Sequence, residues 1–173
     1  DRGLAIANSM AAIIAGANCV HGCAIGLGER VGNTQIDQML VNLKLMGLPP
    51  WDQQDLTSLK HYCQAVSRAT GVPIPANYPV VGDDAFRTAT GVHAAAIIKA
   101  YHKNDVVLAN TVYSGVPSHV FGLDQIIDVG PMSGKSNVLF WPERRGIPAS
   151  DDVVDRIYQR AKKSDHTLSE AEI

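Results

Sequence analysis

The 173 residues predict an α/β chain. Three observations carry that prediction. An Ala-, Ile- and Met-rich helical stretch at residues 4–15 is followed by a short apolar run at 19–25, the pattern of a buried parallel strand. A Gly-rich polar turn comes next, Gly26-Leu27-Gly28-Glu29-Arg30-Val31-Gly32-Asn33. A helical pattern then resumes at residue 34. Helix, strand, loop and helix in this order form the closing part of a (β/α)8 TIM barrel, which would place the Gly-rich turn at the C-terminal end of a strand, where barrel active sites lie. Residues 1–72 are read as the end of such a barrel, and 73–173 as a linker and helical C-terminal subdomains.

The elements follow from local chemistry. The first helix reads as packed on most sides, and Gly16 stops it. Asn33 offers an N-cap for a helix over 34–46, with Ile36, Met39, Leu40 and Leu43 on one face. Gly47 and the pair Pro49-Pro50 end it. Residues 55–70 repeat the pattern with Leu56, Leu59, Cys63 and Val66, closed by Gly71 and Pro73. Pro73, Pro75, Pro79 and Gly82 mark a linker over 72–84. A helix is expected over 85–101, interrupted or started near Gly91, and an irregular stretch over 104–128. A turn at 132–135 leads into Asn137-Val138-Leu139-Phe140-Trp141, which reads as a strand. The last helix, 150–162, is capped by Ser150 and turns Val153, Val154, Ile157, Tyr158 and Ala161 inward. The ending from Leu168 reads as the start of a closing helix.

Composition excludes several functions. A net charge of −2 leaves no electrostatic footprint for nucleic acid or an anionic membrane. No apolar run reaches the roughly 18 residues of a membrane span. Cys19, Cys23 and Cys63 are too few and too irregular for a disulfide framework, which points to a reduced, cytoplasmic compartment. Ser133-Gly134-Lys135-Ser136 invites a phosphate-loop reading, but Gly130 stands one residue short of the required spacing and the following run reads as strand.

Three motifs carry a family resemblance. The Gly26–Asn33 turn resembles the Gly-x-Gly-Glu-Arg-x-Gly-Asn motif of the acetyl-CoA-dependent Claisen condensation enzymes, the α-isopropylmalate, homocitrate and citramalate synthases of the DRE-TIM metallolyase family. Asp1-Arg2-Gly3-Leu4-Ala5 is similar to the segment after that family's metal-binding His-x-His, and Thr90-Gly91-Val92-His93 to its Ser-Gly-Ile-His segment. The resemblance runs from Asp1 to about Ile147 and implies a larger enzyme of which this is the C-terminal part: neither the Asp-Arg-Glu triplet nor the His-x-His occurs here. A non-catalytic or split-subunit fragment docking on a partner chain is the alternative. A carbon–carbon lyase of the same superfamily ranks lower, because that group carries a cysteine in the Gly-rich loop, where this chain has Glu29 and Arg30.

The resemblance implies the chemistry of the site. An acyltransferase condensing acetyl-CoA with a 2-keto acid, 2-isopropylmalate synthase first among them, needs a divalent metal (Mg, Mn or Zn) to polarise the ketone. It also needs proton transfer and a water that hydrolyses the thioester. Asn33 is the expected metal-site residue, with helix N-cap as its other role. Glu29 is expected to orient a water or move a proton, with an ion pair to Arg30 as the alternative. Gly28 and Arg30 are the expected cofactor-binding residues, with acetyl-CoA as a substrate. His93 is the expected acid–base group, against the alternative of an ordinary helix histidine beside an alanine run, and Tyr113 its orienting phenol. In the family this histidine serves the partner subunit, so a homodimer, or pairing with an N-terminal half, is implied. His21 stands where the family often carries an acidic residue, and Ile25 where asparagine is common.

Overall fold

The structure is a computed structural model that describes residues 2–173; Asp1, the first residue of one motif, lies outside the described residues. Two compact units make up the chain. The first runs to Ala85 and includes Val120–Gly122; the second comprises Phe86–His119 and Leu123–Ile173. Together they give an α/β chain of helices with one small parallel sheet.

The first unit holds α1 (Ala5–Ile14), α2 (Ile36–Leu45) and α3 (Leu59–Thr70). Met10 of α1 packs on Met39 and Leu43 of α2, with Ile6, Ile13, Val20, Ile36 and Leu48 around them. Met10 is the only buried residue of α1, and Ile14 is 67% exposed, so this helix is packed on one side rather than most.

The expected strand over 19–25 does not form. Cys23 makes a single parallel bridge to Gln35, donating its N–H to Thr34 O and accepting from Ile36 N–H. A parallel strand needs a partner ladder. Among the described residues of this unit no strand supplies one. The chain tightens instead into a 3-10 turn at Ala24–Gly26, with Ile25 left-handed at φ 49°.

Helix α3 starts at Leu59, later than its pattern suggested. The Asp55 carboxylate accepts from Thr57 N–H at 2.9 Å, a local turn that competes with helix and holds Asp55 below its usual carboxylate range. Gly71, left-handed at φ 72°, ends the helix. The Pro-rich stretch after it belongs to this unit: Val80 and Val81 are buried, and Gln38 Nε2 donates to Pro79 O at 2.8 Å.

The second unit contains β1 (Arg87–Thr88), α4 (Gly91–His102), α5 (Val106–Thr111), β2 (Ile126–Ile127), α6 (Lys135–Glu143) and α7 (Asp151–Lys163). β1 and β2 run parallel, Arg87 opposite Ile126. Helix α5 lies within the stretch expected to be irregular; the Asp105 carboxylate caps it by accepting from Leu108 N–H at 2.9 Å. The run at 137–141, read as a strand, is helix α6. Four adjacent apolar residues cannot separate a strand from a helix buried on two faces. Here Phe140 enters a cluster with Ala94, Ile97, Ile98 and Ala109, while Val138 enters another with Val129, Val154, Ala161 and Leu168. Helix α7 forms as its pattern predicts, with Ser150 Oγ accepting from Val153 N–H and its acidic first turn and basic last turn complementing the helix dipole. After Leu168 only turns follow, where a closing helix was expected.

Candidate functional site

The Gly-rich turn folds on itself. Asn33 N–H donates to Gly26 O at 3.0 Å and Gly32 N–H to Glu29 O at 2.9 Å. Gly32 adopts φ 89°, and a β-carbon there would lie 1.8 Å from Gly26 O, so only glycine fits. Gly28 is confined by a side chain: its β-carbon would lie 2.4 Å from Asn33 Nδ2.

Asn33 is not the N-cap of α2. That position belongs to Gln35, which makes no side-chain cap bond. The Asn33 carboxamide turns back instead, its Nδ2 donating to Leu27 O at 2.8 Å and reaching Cys23 Sγ at 3.5 Å. A carbonyl acceptor demands the N–H side, so the amide oxygen is the atom left for a cation. Asn33 lines a cavity of about 930 Å³ with Arg2, Asn8, Gln35, Gln38 and Tyr78. The Gln35 Oε1 atom is buried there without a hydrogen-bond partner. A neutral oxygen donor fits a hard divalent ion as one ligand of a larger set. Among the described residues no group of three His, Cys, Asp or Glu could complete that set. Glu29 and Arg30 are exposed on the same turn, Arg30 left-handed at φ 55°.

Sequence reasoning missed Asp37. It is fully buried in the first turn of α2, and Oδ1 accepts from Ile25 N–H at 2.8 Å while Oδ2 accepts from Gln38 Nε2 at 3.0 Å. It therefore pins the left-handed residue that opens the Gly-rich turn. Burial and the neighbouring Asp37 push the Tyr78 phenol well above its usual pKa. The available clue was a carboxylate one turn before Leu40 and Val41, inside an apolar helix.

In the second unit, His93 lies in the first turn of α4 and Tyr113 just beyond α5. The structure brings them together: the rings stack with centroids 4.4 Å apart and planes at 30°. Both are exposed, Tyr113 at 50%. Of the other histidines, His102 pairs with Glu143 at 2.9 Å, and His166 with Asp165 and Glu172. His21 is exposed.

A helix does begin within the Ser133–Ser136 segment, at Lys135, where a strand was expected, while the short Gly130 spacing still argues against a phosphate loop. Its amides argue the same way. Ser133 N–H donates to Gly130 O, Gly130 N–H to Ser133 Oγ and Gly134 N–H to Asn137 Oδ1. Lys135 pairs with Asp155 at 2.6 Å.

Comparison with known proteins agrees with the motifs. Residues 1–66 match the HMGL-like family. The chain is 30% identical to the homocitrate synthase AksA of Methanopyrus kandleri, over 94% of this chain and 38% of that protein. It is 32% identical to an (R)-citramalate synthase of Aquifex aeolicus, over 96% of this chain and 31% of the other. It is 33% identical to a homocitrate synthase of Saccharolobus islandicus, over 95% and 33%. The chain thus carries an HMGL-like segment and is similar, over nearly its whole length, to proteins named homocitrate synthase and citramalate synthase. It spans about a third of the length of these curated relatives. No helix among the described residues is long and apolar enough to cross a membrane.

Proposed function

We propose that this chain is part of an acyltransferase that condenses acetyl-CoA with a 2-keto acid and hydrolyses the resulting thioester. One observation carries the reading: the closed Gly-rich turn takes up the amide N–H of Asn33 internally while Asn33 lines a cavity, with Glu29 and Arg30 exposed on the same turn. The homologues' names support the same class of chemistry.

Each residue then has a task. Asn33 would supply one neutral oxygen to a divalent cation, Mg, Mn or Zn. The bound cation would polarise the ketone. Glu29 orients a water or accepts a proton. Arg30 and the bare backbone at Gly28 face the acyl-CoA. His93 carries the proton for enolisation or alkoxide protonation. Tyr113, stacked on it, orders the ring. In a homodimer this pair would serve the neighbouring subunit. The motifs are shared by the isopropylmalate, homocitrate and citramalate synthases, and the relatives carry homocitrate and citramalate names. The keto acid is therefore proposed only as a class.

The test is thiol release from acetyl-CoA by the complete protein, with a panel of 2-keto acids bearing small, branched and acidic side chains. Release with at least one is expected; no release with any ends the proposal. His93→Ala is expected to lower kcat by about 100-fold, within the range for a general acid–base group, with KM for the keto acid changing less. An unchanged kcat removes His93 from the reaction.

A further inference from the structure

We infer that Ser133 and Asn137 are positioning residues for His93, acting through the backbone that launches α4; this rests on the acyltransferase reading above. Both side chains are buried, Ser133 at 1% and Asn137 at 0% exposure. They converge on the same two carbonyls. Ala89 O accepts from Ser133 Oγ at 2.7 Å and from Asn137 Nδ2 at 3.1 Å. Asp128 O accepts from Asn137 Nδ2 at 2.9 Å and from Ser133 Oγ at 3.2 Å.

The donor count closes. The two amide hydrogens of Asn137 serve one carbonyl each, the Ser133 hydroxyl leans to Ala89 O, and its oxygen accepts from Gly130 N–H at 2.9 Å. Two further contacts join the same segments. Gly91 N–H donates to Met132 O at 3.0 Å. A β-carbon on Gly91 would lie 2.6 Å from Gly134 N, so the two backbones meet where no side chain fits.

Ala89 stands two residues before α4, and His93 is the third residue of that helix. Fixing Ala89 O and Gly91 N–H sets where the first turn of α4 begins and which way His93 projects. Tyr113 reaches the ring from just beyond α5, which packs along α4. The segment that mimics a phosphate loop is in this fold a clamp on the base of the His93 helix. The Ser133 hydroxyl and the Ser133 and Gly134 amides are engaged by protein groups rather than turned toward an anion.

Ser133→Ala keeps one partner for each carbonyl through Asn137, so the chain should still fold. Two readouts separate positioning from bulk stability. In the complete protein, kcat per folded molecule should fall about tenfold or more with KM within twofold, because small misplacements of a reacting group are costly. In the 173-residue chain, the His93 ring protons should carry an upfield ring-current shift from Tyr113, assigned by its loss in Tyr113→Ala. That shift should shrink in Ser133→Ala.

If Ser133→Ala does not fold, Asn137→Ala, which leaves Ser133 on Ala89 O, takes its place. An unmoved His93 resonance with unchanged kcat, or loss of folding in both variants, overturns the inference. The underlying reading fails differently: there the complete protein releases no thiol with any 2-keto acid, while the His93 shift still responds to Ser133→Ala.

Discussion

Gly32 and Asp37 bear on the same turn from opposite chemical directions. Gly32 has no room for a methyl group against Gly26 O and sits at φ 89°. Gly32→Ala is therefore expected to cost about 2–4 kcal/mol, strain and clash together, read as a lowered urea midpoint. Asp37→Ala strips the buried Ile25 N–H of its acceptor and should cost about 2–3 kcal/mol; Asp37→Asn, which keeps an acceptor oxygen, should cost less. Equal losses in the two variants would show that charge, not the bond to Ile25, matters. Cys63 illustrates the opposite case, a group that chemistry cannot reach. It is fully buried and its thiol is pushed up to about 12 by burial, with Asp37 adding to the effect. A thiol reagent at neutral pH should label exposed Cys19 quickly and Cys63 only on unfolding, as peptide mass mapping would show.

Elements form here when a neighbour supplies what the local sequence lacks. Helix α7 needs little help: its cap, its charge order and its apolar face agree. Helix α6 is the reverse, a run with strand composition that becomes helical because two apolar clusters lie on its two sides. The segment after α7 is held by charge. Glu172 accepts from Ser169 N–H at 2.8 Å and Oγ at 2.7 Å and contacts His166, and these bonds hold its carboxyl down to about 2. His166 is raised above 6.5 by Asp165 and Glu172. The Glu172 contribution is full above its unfolded value near 4.5 and fades as pH falls toward 2. The His166 contribution is full below 6.5 and fades as pH rises through its raised pKa. Residues 165–173 should thus be best ordered between about pH 4.5 and 6.5, which amide exchange across a pH series would reveal. Monotonic protection through pH 8 would contradict this.

For the whole molecule, the decisive expectation is metal dependence. Chelation of the complete protein should abolish thiol release, and Mg, Mn or Zn should restore it; activity that survives chelation would remove Asn33 from the proposed role. The closed turn of the candidate site was legible beforehand because its motif is local. The Gly26–Asn33 turn works through backbone bonds spanning at most seven residues, so the glycines had to be where they are. That Tyr113 attends His93 was implied by the resemblance, but that the two rings stack was not legible, since the contact joins positions 20 residues apart. Asp37 and the Ser133–Asn137 clamp stayed hidden for the same reason: a polar side chain buried by distant backbone looks on paper like any surface residue.

By itself the sequence determined the helix-forming segments with agreeing caps, the closed Gly-rich turn and the kinship with the synthases, because each rests on contacts within a few residues or on motif identity. Only the tertiary structure decided that residues 19–25 make a bridge instead of a strand, that 135–143 are helical, and that Asn33 turns its amide into the loop and leaves the N-cap to Gln35. Those outcomes depend on which atoms arrive from elsewhere to satisfy a hydrogen bond or cover an apolar face, and no local pattern encodes that arrival.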